Sequence, residues 1–190
     1  MLDQLLELDK TLFLYLNKLG SSTWDPLWLA ITHEVTFAPL YAILLGLIYR
    51  KYGLKPLLIM VLVIAAMITF TDQITNVFKH TVMRPRPCQL DSLVAEGMRY
   101  IAERCGRYGF FSGHSSNSMA AAVFGGLVLR PYFKNLIFIL LFWSCIVAYS
   151  RIYVGVHYPL DIVCGMLFGA LSGVVFYKLN SYLLKRFTFV

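Results

Sequence analysis

The 190 residues are 58% hydrophobic and only 14% charged, with a mean hydropathy of +0.66, which excludes a soluble domain of this length and reads as a polytopic membrane protein. The formal net charge of +7 suggests nucleic acid or anionic lipid in a soluble chain. Here the basic residues flank apolar segments, where they orient helices, so nucleic-acid binding is disfavoured.

The first ten residues carry Asp3, Glu7 and Asp9 in place of a basic stretch ahead of an apolar core, so no cleaved secretory signal is expected and insertion relies on internal spans. Residues 1–20 place Leu2, Leu5, Leu6, Leu12, Phe13, Leu16 and Leu19 largely along one helical face, interrupted by Asp3, Glu7, Lys10 and Lys18. This predicts an interfacial helix. Trp24 and Trp28, near Pro26 and ahead of His33 and Glu34, read as headgroup-level anchors on a short second helix, so residues 1–34 form an N-terminal interfacial region.

Apolar spans follow at 35–50, 55–79, 114–130, 134–152 and 158–182, some near the lower limit of about 17 to 20 residues for a crossing. The expected fold is all-α: a single domain, 1–190, built as a polytopic membrane helix bundle of five transmembrane helices, or six if the N-terminal region also crosses. Arg50, Lys51 and Lys55, then Arg130 and Lys134, then Lys178, Lys185 and Arg186 fall on one side of a five-span layout, which makes that side cytoplasmic. The 80–113 loop and the 150–158 turn share the outer face. Asp91, Glu96 and Glu103 partly offset the loop's own arginines. Cys145 and Cys164, inside apolar runs, read as small buried hydrophobes. No Cys/His spacing suggests a metal site.

Three stretches on that outer face concentrate the chemistry. Lys79 ends one span, Arg86 follows seven residues later between Pro85 and Pro87, and Arg151 ends another span. Each alone reads as a headgroup-facing cation; together they suit a tetrahedral anion. The prolines hold the backbone around Arg86 extended, and Arg84 reads as a solvated loop charge. In Phe111–His114, Gly113 admits close approach of an anion, Ser112 is placed to cap the span beginning near His114, and free helix-start amides face the ligand. His114 is then a proton donor, whereas a serine nucleophile at Ser112 lacks a spaced base. His157 and Asp161 lie four apart with Pro159 in the first turn of a helix, which puts the carboxylate beneath the ring and leaves the other ring nitrogen as nucleophile or base. Asp72, Asn76 and Lys79 share a helix face, either as a support for Lys79 or as ordinary inter-helix polar contacts.

Lys79 with Arg86–Pro87, Ser112–Gly113–His114, and Ser150–Arg151 with His157 and Asp161 resemble the three-part signature of the type 2 phosphatidic acid phosphatase (PAP2) superfamily, with its spacings KX6RP, SGH and SRX5HX3D. One departure is Phe111, where the family usually has Pro. The resemblance implies a metal-independent phosphohydrolase with no cofactor and an all-helical core shared with bacterial acid phosphatases and vanadium haloperoxidases. It implies that His157 attacks phosphorus, Asp161 orients His157, and His114 protonates the leaving oxygen and then activates water. Lys79, Arg86, Arg151, Ser112 and the Gly113 amide hold the phosphoryl oxygens.

The expectation is a bacterial inner-membrane phosphatase with its active site facing the periplasm, surrounded by membrane lipids and needing no obligate protein partner. Its expected substrate is a lipid phosphate or diphosphate: undecaprenyl diphosphate, phosphatidylglycerophosphate, phosphatidic acid or a lipid A phosphate. A lipid-phosphate binding or transport protein would use the same cations without needing His157, Asp161 and His114, and a haloperoxidase-like relative is a further alternative. Cys88 and Cys105 lie in the loop assigned to the oxidising side, and a disulfide between them is expected to tie the Arg86 and Ser112 stretches together.

Overall fold

The computed structural model describes residues 1–187; the last three residues of the single domain expected from the sequence lie outside them. Eight α-helices follow in order: α1 Leu2–Lys18, α2 Asp25–Thr32, α3 Ala38–Tyr52, α4 Leu54–Val82, α5 Asp91–Ala95, α6 Gly113–Leu129, α7 Leu136–Tyr153 and α8 Pro159–Phe187. Short 3-10 turns occupy Glu34–Phe37 and Pro87–Gln89, and no named strand occurs among the described residues. The five apolar runs of the sequence correspond to α3, α4, α6, α7 and α8, with ends displaced by a few residues.

The bundle is organised around α6, which is buried along most of its length. Its small residues make this possible: Ser115, Ser116, Ala120 and Ala122 let neighbouring backbones approach closely. The tightest partner is α8, which presents Gly165, Gly169 and Gly173 at intervals of four. A Cβ at Gly165 would lie 2.6 Å from the Ser112 carbonyl oxygen and one at Gly173 2.8 Å from that of Ala120, while one at Gly169 would collide with the Ser116 backbone. Larger residues fill the gaps elsewhere. Ile48, Met60, Met67, Phe124 and Leu129 form a core where α3, α4 and α6 meet. Phe13, Leu93, Ile152, Tyr158 and Ile162 form a second core under α1.

Helices α4, α7 and α8 are each long and apolar enough to cross a membrane. A fourth candidate span is broken: α2 and the segment Glu34–Tyr52 meet at a 75° bend. Helix α6, with 17 residues, is about 26 Å long and is sheathed by the other helices. The connections between helices gather at two opposite ends of the bundle. Tyr52 donates to the Val128 carbonyl at one end (2.7 Å), with Lys51 over the Tyr132 ring. The three motif stretches gather at the other.

The structure refines these expectations and corrects one of them. The N-terminal helix forms as expected, and the face it turns inward is Asp9, Phe13 and Asn17. Leu2, Leu5, Leu6, Leu12 and Leu19 are exposed, as suits a helix whose other side meets lipid. Asn17 turns inward because its amide Nδ2 donates to the carbonyls of Arg99, Ile152 and Tyr153 (3.0, 3.0 and 3.1 Å). Trp28 stacks on Tyr153 (5.0 Å, 22°) and meets Tyr149 edge-on. Cys145 is exposed rather than buried, because the outer surface of a membrane bundle is itself apolar.

Candidate active site

The end of α4 is set by Met83, whose left-handed conformation (φ 52) brings its N–H onto the Lys79 carbonyl (3.1 Å), the bond of an αL cap. The chain leaves the helix after Val82, less than one turn beyond Lys79, and runs extended to Arg86 before the 3-10 turn at Pro87–Gln89. It is held flat against residues 106–109. The Gly109 N–H donates to the Arg84 carbonyl (2.9 Å), Pro85 bridges Tyr108, and Arg86 Nε donates to the Tyr108 carbonyl (3.0 Å). Gly106 lies against the Arg86 guanidinium, where a Cβ would come within 3.1 Å of Cζ. Cys88 and Cys105 are joined by a disulfide, Cα to Cα 6.1 Å, closing the same two segments around Arg86 as the sequence suggested.

The second stretch is a helix start. Ser112 is the N-cap of α6, its Oγ accepting from the Ser115 N–H and from the Ser115 hydroxyl (3.0 Å). The Ser112 N–H donates to the Asp161 carbonyl (3.0 Å), which couples this start to α8. In the third stretch, α8 opens at Pro159 and turns Asp161 back so that Oδ2 lies 3.3 Å from His157 Nδ1. The same oxygen accepts from the Tyr158 N–H (3.1 Å). A carboxylate can only accept, so Nδ1 carries the proton and Nε2 keeps its lone pair.

These stretches border one cavity of about 630 Å³. Lys79, Arg86, Gly113, His114, Arg151 and His157 line its polar end. Ser112 and Asp161 are fully buried and stand behind that wall. Away from this end the lining is apolar, with Phe37, Leu44, Ile48, Ile64, Met67, Phe124, Trp143 and Val147. Three cations thus face this space with Glu34 and Asp72 as the carboxylates on its wall, an anion-attracting arrangement. Arg151 donates to the Thr32 hydroxyl, while its buried Nε has no hydrogen-bond partner, a donor that an oxyanion would satisfy. Burial pushes the Arg86 guanidinium below its ordinary value despite the opposing Asp161 charge. Burial likewise pushes His157 down to about 4, with Asp161 pulling the other way, so its ring is neutral near pH 7.

Lys79, Arg86, Gly113, His114, Arg151 and His157 are therefore brought to one surface, with Ser112 and Asp161 in the structure that supports it. Several participants escaped the sequence reading. Arg84 is not a solvated loop charge: its side chain is 15% exposed and pairs with Asp161 (2.8 Å) and Asp9 (2.6 Å). Asp9 sits on the inward face of α1, and the available signal was a polar residue in register with Phe13 and Asn17. Glu34 lies 3.6 Å from His114 Nε2. Asp72 accepts from Asn117 Nδ2 (2.7 Å), and Thr71 donates to Asn117 Oδ1 (2.5 Å). Its hydrogen bonding is thus of the inter-helix kind rather than a direct hold on Lys79.

Comparison with known proteins agrees with this geometry. Lipid A 4'-phosphatase of Bacteroides thetaiotaomicron is 34% identical over 189 residues, covering 98% of this chain and 83% of that protein. Lipid A 4'-phosphatase of Porphyromonas gingivalis is 29% identical over 97% of this chain and 78% of that one. Among solved structures, a transmembrane PAP2 type phosphatidylglycerolphosphate phosphatase from Bacillus subtilis superposes with a TM-score of 0.73 over 94% of this chain and 87% of its own, at 18% identity. Aquifex aeolicus LpxE gives 0.67 over 88% and 93%, at 25% identity. Residues 56–185 match the PAP2 superfamily, a stretch that contains all three motifs, and the chain belongs to that superfamily as a multi-pass membrane phosphatase.

Proposed function

We propose that this protein removes a phosphate group from a membrane lipid at the periplasmic face of a bacterial inner membrane, through a phosphohistidine on His157. The observation that carries this reading is the continuity of the cavity: the cations at one end suit a phosphate, and the apolar walls that follow suit an acyl chain. A soluble phosphate ester would leave those walls uncovered. His157 Nε2 attacks phosphorus, forming the N–P bond as the P–O bond to the lipid breaks, and His114 gives its proton to the departing oxygen. His114 then takes a proton from water, whose oxygen displaces His157 and releases inorganic phosphate. Lys79, Arg86 and Arg151 balance the charge on the phosphoryl oxygens throughout, so the step is chiefly positioning and electrostatics. Among the candidate lipids, the two curated relatives favour a lipid A phosphate over undecaprenyl diphosphate, phosphatidylglycerophosphate or phosphatidic acid. Five crossings, α3, α4, α6, α7 and α8, put the basic connections on the cytoplasmic side and the site outside.

The test is inorganic phosphate release by purified protein in lipid micelles across a panel of these four lipids, with and without EDTA. Release from lipid A at the highest kcat/KM, undiminished by chelator and absent in His157→Ala, is expected. Lipid binding without release by the unaltered protein would instead identify a carrier.

A further inference from the structure

The two oxygens of Asp161 are held differently. Oδ2 faces His157 and the Tyr158 N–H, while Oδ1 accepts from Arg84 NH1 (2.8 Å). The other arm of the Arg84 fork, NH2, donates to Asp9 Oδ2 (2.6 Å), and Asp9 Oδ1 accepts the Leu160 N–H (2.8 Å). That amide belongs to the first turn of α8, where backbone donors lack partners within the helix. The result is a closed ring: Asp9 to Arg84, Arg84 to Asp161, and back along one peptide unit to Leu160 and Asp9. The Arg84 guanidinium also lies 4.0 Å above the Tyr158 ring, which fixes its plane. Asp9 is 5% exposed and Asp161 fully buried, so the contacts act with little screening by water. Asp9 stands on α1, outside the residues 56–185 that match the superfamily.

We propose that Arg84 and Asp9 are positioning residues for the His157–Asp161 pair, the N-terminal helix reaching across the bundle end to set both the orientation and the charge of Asp161. This rests on the phosphohistidine reading. The orientation argument is geometric: with Oδ1 pinned by Arg84, the carboxylate cannot rotate, and Oδ2 stays on Nδ1–H as His157 approaches phosphorus. The charge argument is a count. Arg84 alone would neutralise Asp161 and weaken its support of the positive charge that develops on the imidazole. Asp9 takes half of the fork, so the three groups together keep one net negative charge beside His157. A guanidinium serves both carboxylates through one rigid plane, a geometry that a lysine ammonium's rotatable donors do not fix.

Asp9→Asn and Arg84→Lys test this with the full-length protein in lipid micelles. Both are expected to lower kcat by about 10- to 100-fold, by analogy with the loss of a hydrogen-bonded partner that orients a metal-ligating histidine. KM and inhibition by vanadate, which report the separate Lys79, Arg86 and Arg151 cradle, should stay within about twofold. Asp9→Glu, which keeps the charge, should recover part of the loss. Wild-type kcat in either variant overturns the proposal. A fall in vanadate affinity and melting temperature in step with kcat, or failure of both variants to fold, makes the ring structural only and overturns it too. His157→Ala runs in parallel: if that variant turns over normally, the phosphohistidine reading fails whatever Asp9 does.

Discussion

At the scale of single residues, the proposed chemistry needs a histidine kept neutral. Burial holds His157 near 4 in the folded protein against an ordinary 6.5. The unfolded chain therefore binds more protons in that window, and this residue's contribution to stability, complete above about 6.5, is lost as pH falls toward 4. For catalysis the same shift keeps the proposed nucleophile unprotonated. The acid limb of kcat/KM, corrected for substrate ionisation, should lie near pH 4; a limb at 6.5 traceable to His157 would contradict the burial argument. His114→Ala should cost about 10²- to 10⁴-fold in kcat, with the loss shrinking for esters of acidic leaving groups such as nitrophenol. Equal losses for alkyl and nitrophenyl phosphates would remove His114 from the role of proton donor.

Two devices at the scale of elements place those residues. The first is the glycine seam of α8 against α6, where side chains are absent because backbones touch. Gly169→Val should destabilise by about 1–3 kcal/mol, as overpacking does, or about 2–12 °C in melting temperature for a chain of this size. A differential scanning melt decides it, and an unchanged midpoint would mean the helices slide apart freely. The second device is the loop between α4 and α6. The disulfide spans a separation of 17 residues, a closure worth about 3 kcal/mol in the chain-entropy view. Since it joins the segments on either side of the Arg86 side chain, Cys88→Ser with Cys105→Ser should weaken vanadate inhibition and raise KM more than it lowers kcat. A pure kcat effect would show that the bridge serves something other than phosphate binding.

For the whole molecule, the alternation of charged ends along the bundle leads to a sided protein. With native cysteines replaced, a cysteine at Asp91 should react with membrane-impermeant maleimide in intact spheroplasts, and one at Lys185 should react only after lysis. The reverse pattern would put the cavity on the cytoplasmic side and remove periplasmic lipids from the substrate list.

The sequence by itself determined the helical runs, the cations, the two histidines and the Asp161 partner, because hydropathy and i, i+4 spacing are local properties that survive without neighbours. His157 and Asp161 are legible for this reason: one helical turn carries both. The disulfide was also legible, since both cysteines fall within one loop. What only the tertiary structure decided depends on distant segments. Arg84 looks like any loop arginine until α1 and α8 supply a carboxylate to each arm of its fork. Asp9 looks like a solvated acid until α1 turns it inward. The apolar arm of the cavity is likewise assembled by α3, α4, α6 and α7 together. Local pattern reports which chemistry a chain carries; which charges are paired, and which space is left open for a lipid, is set by packing between residues far apart in sequence.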